Sequence, residues 1–112
     1  MARDIVTDGN LGEKMFVAAK SSLGPMFKLV QQFLKYEMEK LAITIRMLVQ
    51  GVANGDISKT EAKILLNQQK VATAAVLTCA EGMTAVAVQA AINAALGVLK
   101  GFVNGKVGFA LL

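Results

Sequence analysis

The 112-residue chain has no histidine, no tryptophan, one cysteine and one proline, and each absence excludes a class of protein. Without imidazole groups there is no Ser-His-Asp or Cys-His nucleophile system and no histidine metal ligand. Because Cys79 is the only cysteine, an internal disulfide, a four-cysteine zinc site and a Cys-x-x-Cys redox motif are excluded. Gly-rich phosphate loops, nucleophile elbows and paired catalytic carboxylates are also missing. We therefore expect no enzymatic activity, no cofactor, no metal site and no small-molecule substrate.

Charge is also scarce, at 18% of residues against about 25% in ordinary domains. The net charge of +4 comes from scattered lysines and arginines, without basic runs or interleaved aromatic residues, so we expect no nucleic-acid partner. Residues 1–8 lack the apolar segment of a cleavable signal peptide. Apolar residues are abundant, at 54% of the chain. A domain this small cannot bury all of it, so other copies of the chain or lipid must cover the surplus.

The apolar spacing predicts an all-α fold. We expect a short helix over about 11–23, then a long helical hairpin with arms over about 25–53 and about 59–100, packed into a helical oligomer. The second arm is expected to be continuous unless Gly82 bends it. Gly24-Pro25 separates the first two helices, and Asn54-Gly55-Asp56 forms the hairpin turn. One apolar stripe at spacings of three and four follows the first arm: Phe27, Val30, Leu34, Met38, Leu41, Ile45, Leu48 and Val52.

The hairpin turn carries a partial likeness to a calcium-binding loop. Residues 54–61 fit the second half of an EF-hand, but positions 1 and 3 of that loop would be Gln50 and Val52, which supply no carboxylate. The same segment is explained as a turn followed by an S-x-x-E capping box, Ser58 to Glu61. We therefore interpret the segment as structural.

Residues 1–112 are expected to form a single all-α domain with two parts of different composition. Residues 1–70 are charged and amphipathic, whereas 71–112 comprise an apolar, Ala-rich helix and a Gly-rich tail. Residues 71–99 hold one charge, Glu81. The 18 uncharged residues 82–99 reach the lower limit of a membrane span, about 17–25 residues, but include Gln89 and Asn93. We expect the apolar tail to be covered by a neighbouring chain or a bilayer.

Projection of the second arm as one helix gives two features. A narrow polar stripe contains Lys70, Glu81, Gln89, Asn93 and Lys100, and it faces either bulk water or the lumen of a bundle. Glu81 is expected to be solvated or ion-paired on this stripe, and Cys79 to be buried and inert. On the rest of the helix surface, small residues recur every four positions, which is typical of a close helix-packing interface. They are Ala87, Ala91 and Ala95, and Ala90 and Ala94.

These features favour a non-enzymatic structural subunit that self-assembles through its Ala-rich helix and contacts or inserts in a membrane, as in a virion, secretion device or pore. Such a protein would be membrane-associated or part of a larger assembly. The alternative is a soluble helical-bundle adaptor, a homodimer or higher oligomer located in the cytoplasm. A third hypothesis is a small membrane-permeabilising protein of holin or toxin type, which would use the same apolar helix to disrupt lipid.

Overall fold

A computed structural model describes residues 11–108 and 110–112, without the side chain of Phe102. The described residues contain helices and no strand, so the prediction of an all-α fold is confirmed. In chain order the elements are α1 (Leu11–Leu23), a 3₁₀ turn (Gly24–Met26), α2 (Phe27–Val30), α3 (Leu34–Ala53), α4 (Lys59–Thr78), α5 (Ala85–Gly97) and α6 (Lys100–Val107). Residues 1–8, on which the expected absence of a signal peptide rests, lie outside this range.

The first arm of the hairpin was predicted to be one continuous helix from about 25 to 53, but the structure shows that it is interrupted. Pro25 lies in the 3₁₀ turn, and the helical ladder is interrupted at residues 31–33. There the Phe33 N–H donates to the Val30 carbonyl (2.8 Å), a tight turn, and Phe33 becomes the residue that precedes α3. The predicted core stripe is largely confirmed, because Leu34, Met38 and Leu41 are fully buried, as are Val30, Ile45 and Leu48.

The hairpin turn forms as predicted from its residues. Gly55, at a φ of +76°, takes the left-handed conformation that glycine adopts without a Cβ penalty. The N–H of Gly55 donates to the carbonyl of Val52 (3.1 Å), and that of Asp56 donates to the carbonyl of Gly51 (2.8 Å). This pair of bonds is a Schellman motif, which satisfies the last carbonyls of α3.

The capping box that starts α4 is confirmed in both directions. The Glu61 N–H donates to Ser58 Oγ (3.0 Å), and the Ser58 N–H donates to Glu61 Oε1 (2.8 Å). These bonds satisfy backbone donors that have no partner inside the helix.

The prediction of one continuous helix over about 59–100 is wrong. Helix α4 ends at Thr78, whose hydroxyl donates to the Ala74 carbonyl (2.6 Å) and competes with the backbone ladder. Gly82 then adopts a φ of +86°, and Thr84 caps α5 by accepting from the Ala87 N–H (3.1 Å). A second break follows α5, where the Leu99 N–H donates to the Leu96 carbonyl (3.1 Å) before α6 begins.

The break at Gly82 determines which helices pack against each other within the chain. It lets α5 leave the line of α4 and pack along α1, which makes its most extensive contacts with α5 and its next most extensive with α3. Helix α3 also packs against α4 and α6. The core formed in this way includes Met15 and Ala19 of α1, Ile45 of α3, Leu77 of α4 and Ile92 of α5, all with 0–1% exposure.

The described part of the tail folds back onto the chain itself. Leu111 is buried in the main core cluster, and the Leu112 N–H donates to Asn104 Oδ1 (2.9 Å). The expectation that a neighbour or bilayer covers this segment is therefore wrong for Leu111, because α6 and the core supply that cover.

Candidate interaction surface

The five alanines predicted to form a packing interface divide between the inside and the outside of the molecule. Ala91 and Ala95 are fully buried, Ala87 and Ala94 are half-buried, and Ala90 is exposed. The buried pair lies on the helix that makes the most extensive contact with α1. Small side chains at this spacing allow a close approach of two helices, and α5 uses them within the subunit.

The predicted polar stripe is divided by the turn at residues 79–84. Glu81 lies exposed in that turn, Lys100 is exposed at the first position of α6, and Lys70 is half-buried on α4. The structure brings Lys70 and Gln89 together, because both line a cleft of about 220 Å³ between α4 and α5. Gln89 Nε2 also donates to Asn93 Oδ1 (3.1 Å) on the exposed side of α5.

A row of large apolar residues on α3, which the sequence analysis overlooked, faces away from the core. Tyr36, Ile43 and Met47 are 70%, 47% and 67% exposed. With Lys40 they recur at spacings of four, three and four, so they share one side of the helix. We call Tyr36, Lys40, Ile43 and Met47 the outer row. Their spacing could have revealed them, but Lys35, Glu39 and Arg46 on a neighbouring strip made that side read as polar.

The outer row borders a groove between α3 and α4, which we call the α3–α4 groove. It is an open cavity of about 320 Å³, lined by Thr44, Met47, Leu48, Leu65, Gln68 and Gln69. A separate open cavity of about 630 Å³ lies at the C-terminal end of α4, lined by Leu29, Phe33, Val76, Cys79, Ala80 and Glu81. The α3–α4 groove therefore combines apolar side chains with two amides and a hydroxyl.

A buried acid lies next to the outer row. Glu37 is buried, and its Oε2 lies 2.9 Å from Nζ of Lys40, whose side chain is 57% exposed. The exposed ammonium thus compensates a carboxylate with 6% side-chain exposure. Removal of the Lys40 ammonium would leave the buried Glu37 carboxylate without compensation.

A second apolar surface, which we call the α1 patch, lies on the side of α1. Val17 and Val98 are 56% and 53% exposed. They face the same open cavity of about 500 Å³, together with Glu13, Lys14, Ala18 and Ser21. Close to this patch, Lys20 Nζ lies 4.8 Å from the centroid of the Phe27 ring, a cation–π contact.

Reactive groups in the described residues are few. Cys79 is exposed, and the expectation of a buried thiol is wrong because Cys79 caps the end of α4 at the break. The pKa of Glu61 is lowered, mainly by the hydrogen bond from the Ser58 N–H and next by the hydrogen bond with the Ser58 side chain. Desolvation opposes this shift. Residues 11–108 and 110–112 hold no group of three or more acidic or cysteine side chains that could bind a metal ion.

Among the described helices, none is both long enough and apolar enough to cross a membrane. Comparison of the chain with models of protein families, with curated proteins and with solved structures finds no match.

Proposed function

We propose that this protein is a non-enzymatic structural subunit that self-assembles and contacts a membrane, as a component of a virion, a secretion device or a pore. One observation carries the proposal: the outer row and the α1 patch stay exposed although the core is already filled. Contiguous exposed apolar surface on a small domain is typical of a binding face for protein or lipid.

Having two such surfaces favours an assembly larger than a closed pair. A two-fold dimer uses the same surface on both copies and leaves other surfaces free. The outer row belongs to α3, whereas the α1 patch involves α1 and Val98. One surface is then available for a second copy and the other for a further subunit or for lipid.

The Ala-rich helix contributes to this proposal through its outward side. Ala91 and Ala95 are engaged inside the subunit, whereas Val86 is 81% exposed and Ala90 is also exposed. A contact of α5 with lipid would therefore use Val86 and Ala90, and not the buried pair.

The α1 patch has the composition expected of a membrane contact. Exposed Val17 and Val98 lie beside Lys14 and one acidic residue, Glu13. Lys20 follows Val17 by three residues, and Lys100 follows Val98 by two. Apolar side chains flanked by lysines bind lipid surfaces by burial together with attraction to anionic headgroups.

Sedimentation without detergent and flotation with liposomes test the proposal. We expect the chain to form oligomers and to float with anionic vesicles, with the α1 patch variant Val17→Asp reducing flotation. A clean monomer that stays in the aqueous fraction would contradict both parts.

The same experiment distinguishes the other two hypotheses. Oligomers that do not bind vesicles favour a soluble helical-bundle adaptor. Release of bound oligomers by salt alone favours that adaptor or a peripheral membrane contact, whereas a requirement for detergent favours insertion. Release of a trapped dye favours a membrane-permeabilising protein of holin or toxin type.

A further inference from the structure

We propose that the outer row and the α3–α4 groove bind a second copy of this chain as an antiparallel two-fold dimer. This inference rests on the proposed self-assembly and assigns the surface that mediates it. In such a dimer α3 and α4 of each copy face their counterparts, and four helices form the contact.

The spacing of the outer row is that of a helix with partners on two sides. The core-facing residues Leu34, Met38 and Leu41 recur at intervals of four and three, and the outer row repeats this rhythm on the opposite side. Apolar residues at alternating intervals of three and four form the seam of paired helices. Helix α3 thus carries one seam for its own core and a second seam without a partner among the described residues.

The size of the surface matches a dimer interface. Together with the flanking apolar residues Leu29, Phe33, Leu65 and Val76, the outer row exposes on the order of 700 Å², close to the ~800 Å² that each partner buries in a standard stable interface. The α3–α4 groove of about 320 Å³ and the separate cavity of about 630 Å³ offer recesses for protruding side chains such as Met47 and Tyr36 of the partner subunit.

The charge at the centre of the row selects the antiparallel arrangement. In a parallel pair with the axis along α3, Lys40 would face Lys40 of the partner subunit, and facing like charges are repulsive. An antiparallel pair places each Lys40 against an apolar residue of the row, over which its aliphatic stem can pack. Each ammonium keeps its own Glu37, 2.9 Å away.

The polar groups in the groove favour protein over lipid as the occupant. Thr44, Gln68 and Gln69 line it, and a protein partner can supply hydrogen bonds to such groups. Acyl chains cannot, and a polar group buried without a hydrogen bond is costly.

Sedimentation equilibrium of the full chain in detergent-free buffer, with Cys79→Ser to prevent oxidation, tests the assignment. The variant is Met47→Lys, and its matched control is Val86→Lys, another exposed apolar position on a different helix. We expect Met47→Lys to weaken dimerisation at least about 100-fold, because the two-fold axis introduces the charge twice. Val86→Lys should dimerise like the parent, and circular dichroism should show both variants folded.

Three results would overturn the assignment. Met47→Lys could dimerise like the parent, both variants could lose affinity equally, or Lys40→Cys could cross-link efficiently under oxidation, which would indicate a parallel pair. In each case the parent still oligomerises, so the proposed function survives.

A vesicle experiment separates the lipid alternative. A parent chain that is monomeric in buffer but binds phosphatidylcholine or phosphatidylserine vesicles through Met47 would show that lipid, and not a second copy, covers the outer row. A parent chain that neither oligomerises nor binds vesicles would contradict the proposed function itself.

Discussion

At the scale of single residues, Ser58 offers the clearest link between sequence and stability. Its hydroxyl accepts the Glu61 N–H at 3.0 Å, and replacement of such an N-cap by alanine costs about 1 kcal/mol. We expect Ser58→Ala to lower the free energy of unfolding by that amount in urea titrations. Thr60→Ala, an exposed substitution in the same turn, is the control and should change it by less than about 0.5 kcal/mol. Equal losses in both variants would contradict a capping role.

The partner of Ser58 gives the molecule a small pH dependence. Because the folded state lowers the pKa of Glu61, the ionised carboxylate stabilises the fold at pH values above its ordinary pKa. That contribution disappears as the pH falls through the lowered pKa. We expect the parent to lose more stability than Glu61→Gln when urea titrations are repeated from neutral pH down to acidic pH. Parallel curves for the two proteins would show that the shift does not contribute.

At the scale of elements, the break between α4 and α5 depends on one glycine conformation. A Cβ on Gly82 would meet Leu29 at an ordinary 3.5 Å, but the φ of +86° is unfavourable for any other residue, by roughly 1–2 kcal/mol. Gly97 ends α5 with open space around it and no positive φ. Thermal unfolding should therefore show Gly82→Ala destabilised and Gly97→Ala unchanged or stabilised by up to about 1 kcal/mol. If Gly82→Ala were stabilised, this would indicate that α4 and α5 join into one straight helix in the variant.

The contact of α5 with α1 can be tested by a pair of adjacent alanines. Ala91 is fully buried and Ala90 is exposed, so leucine at position 91 must displace neighbouring side chains. We expect Ala91→Leu to cost about 1–3 kcal/mol and Ala90→Leu to remain within about 0.5 kcal/mol of the parent. The measurement is chemical denaturation of both variants side by side. A neutral Ala91→Leu would mean that the helices do not approach closely.

The elements also show which parts of the structure the sequence could predict. Local signals were sufficient for α1 and for the turn at Gly55 and Ser58, because caps and glycine turns act within a few residues. The sequence marked Gly82 as a place where the helix can bend but did not decide between a bend and a continuous helix, because an isolated glycine inside an apolar helical pattern is tolerated at a cost of about 1 kcal/mol. Packing of α5 on α1 outweighs that cost, and packing is a property of distant residues.

The candidate surface was missed for a related reason. Lys40 lies within the outer row, and the neighbouring strip of α3 is charged, so that side of the helix resembled a solvated face. Only the exposed fractions of Tyr36 and Met47, 70% and 67%, reveal that the other members of the row are apolar and uncovered. The alanine pattern was visible in the sequence, but the sequence does not tell that Ala91 and Ala95 are used inside the subunit.

At the scale of the whole molecule, self-association should make stability depend on concentration. Binding of a second copy to the folded state alone stabilises it by mass action. For a chain of this size we expect the unfolding midpoint to rise by roughly 3–5 °C for each tenfold increase in protein concentration. Met47→Lys should show no such rise, and Val86→Lys should follow the parent. If the unfolding midpoint of the parent does not change with protein concentration, this would argue against dimerisation at the concentrations measured.

The pairing of α1 with α5 also has a consequence for synthesis of the chain. Helix α1 ends at Leu23 and α5 begins at Ala85, a separation that takes on the order of 3–12 s to translate. Until α5 emerges, α1 lacks the helix with which it makes its most extensive contact. Among the described helices the first to be made therefore waits for one of the last, and a chain that stops before α5 would expose a core surface to chaperones and to other nascent chains.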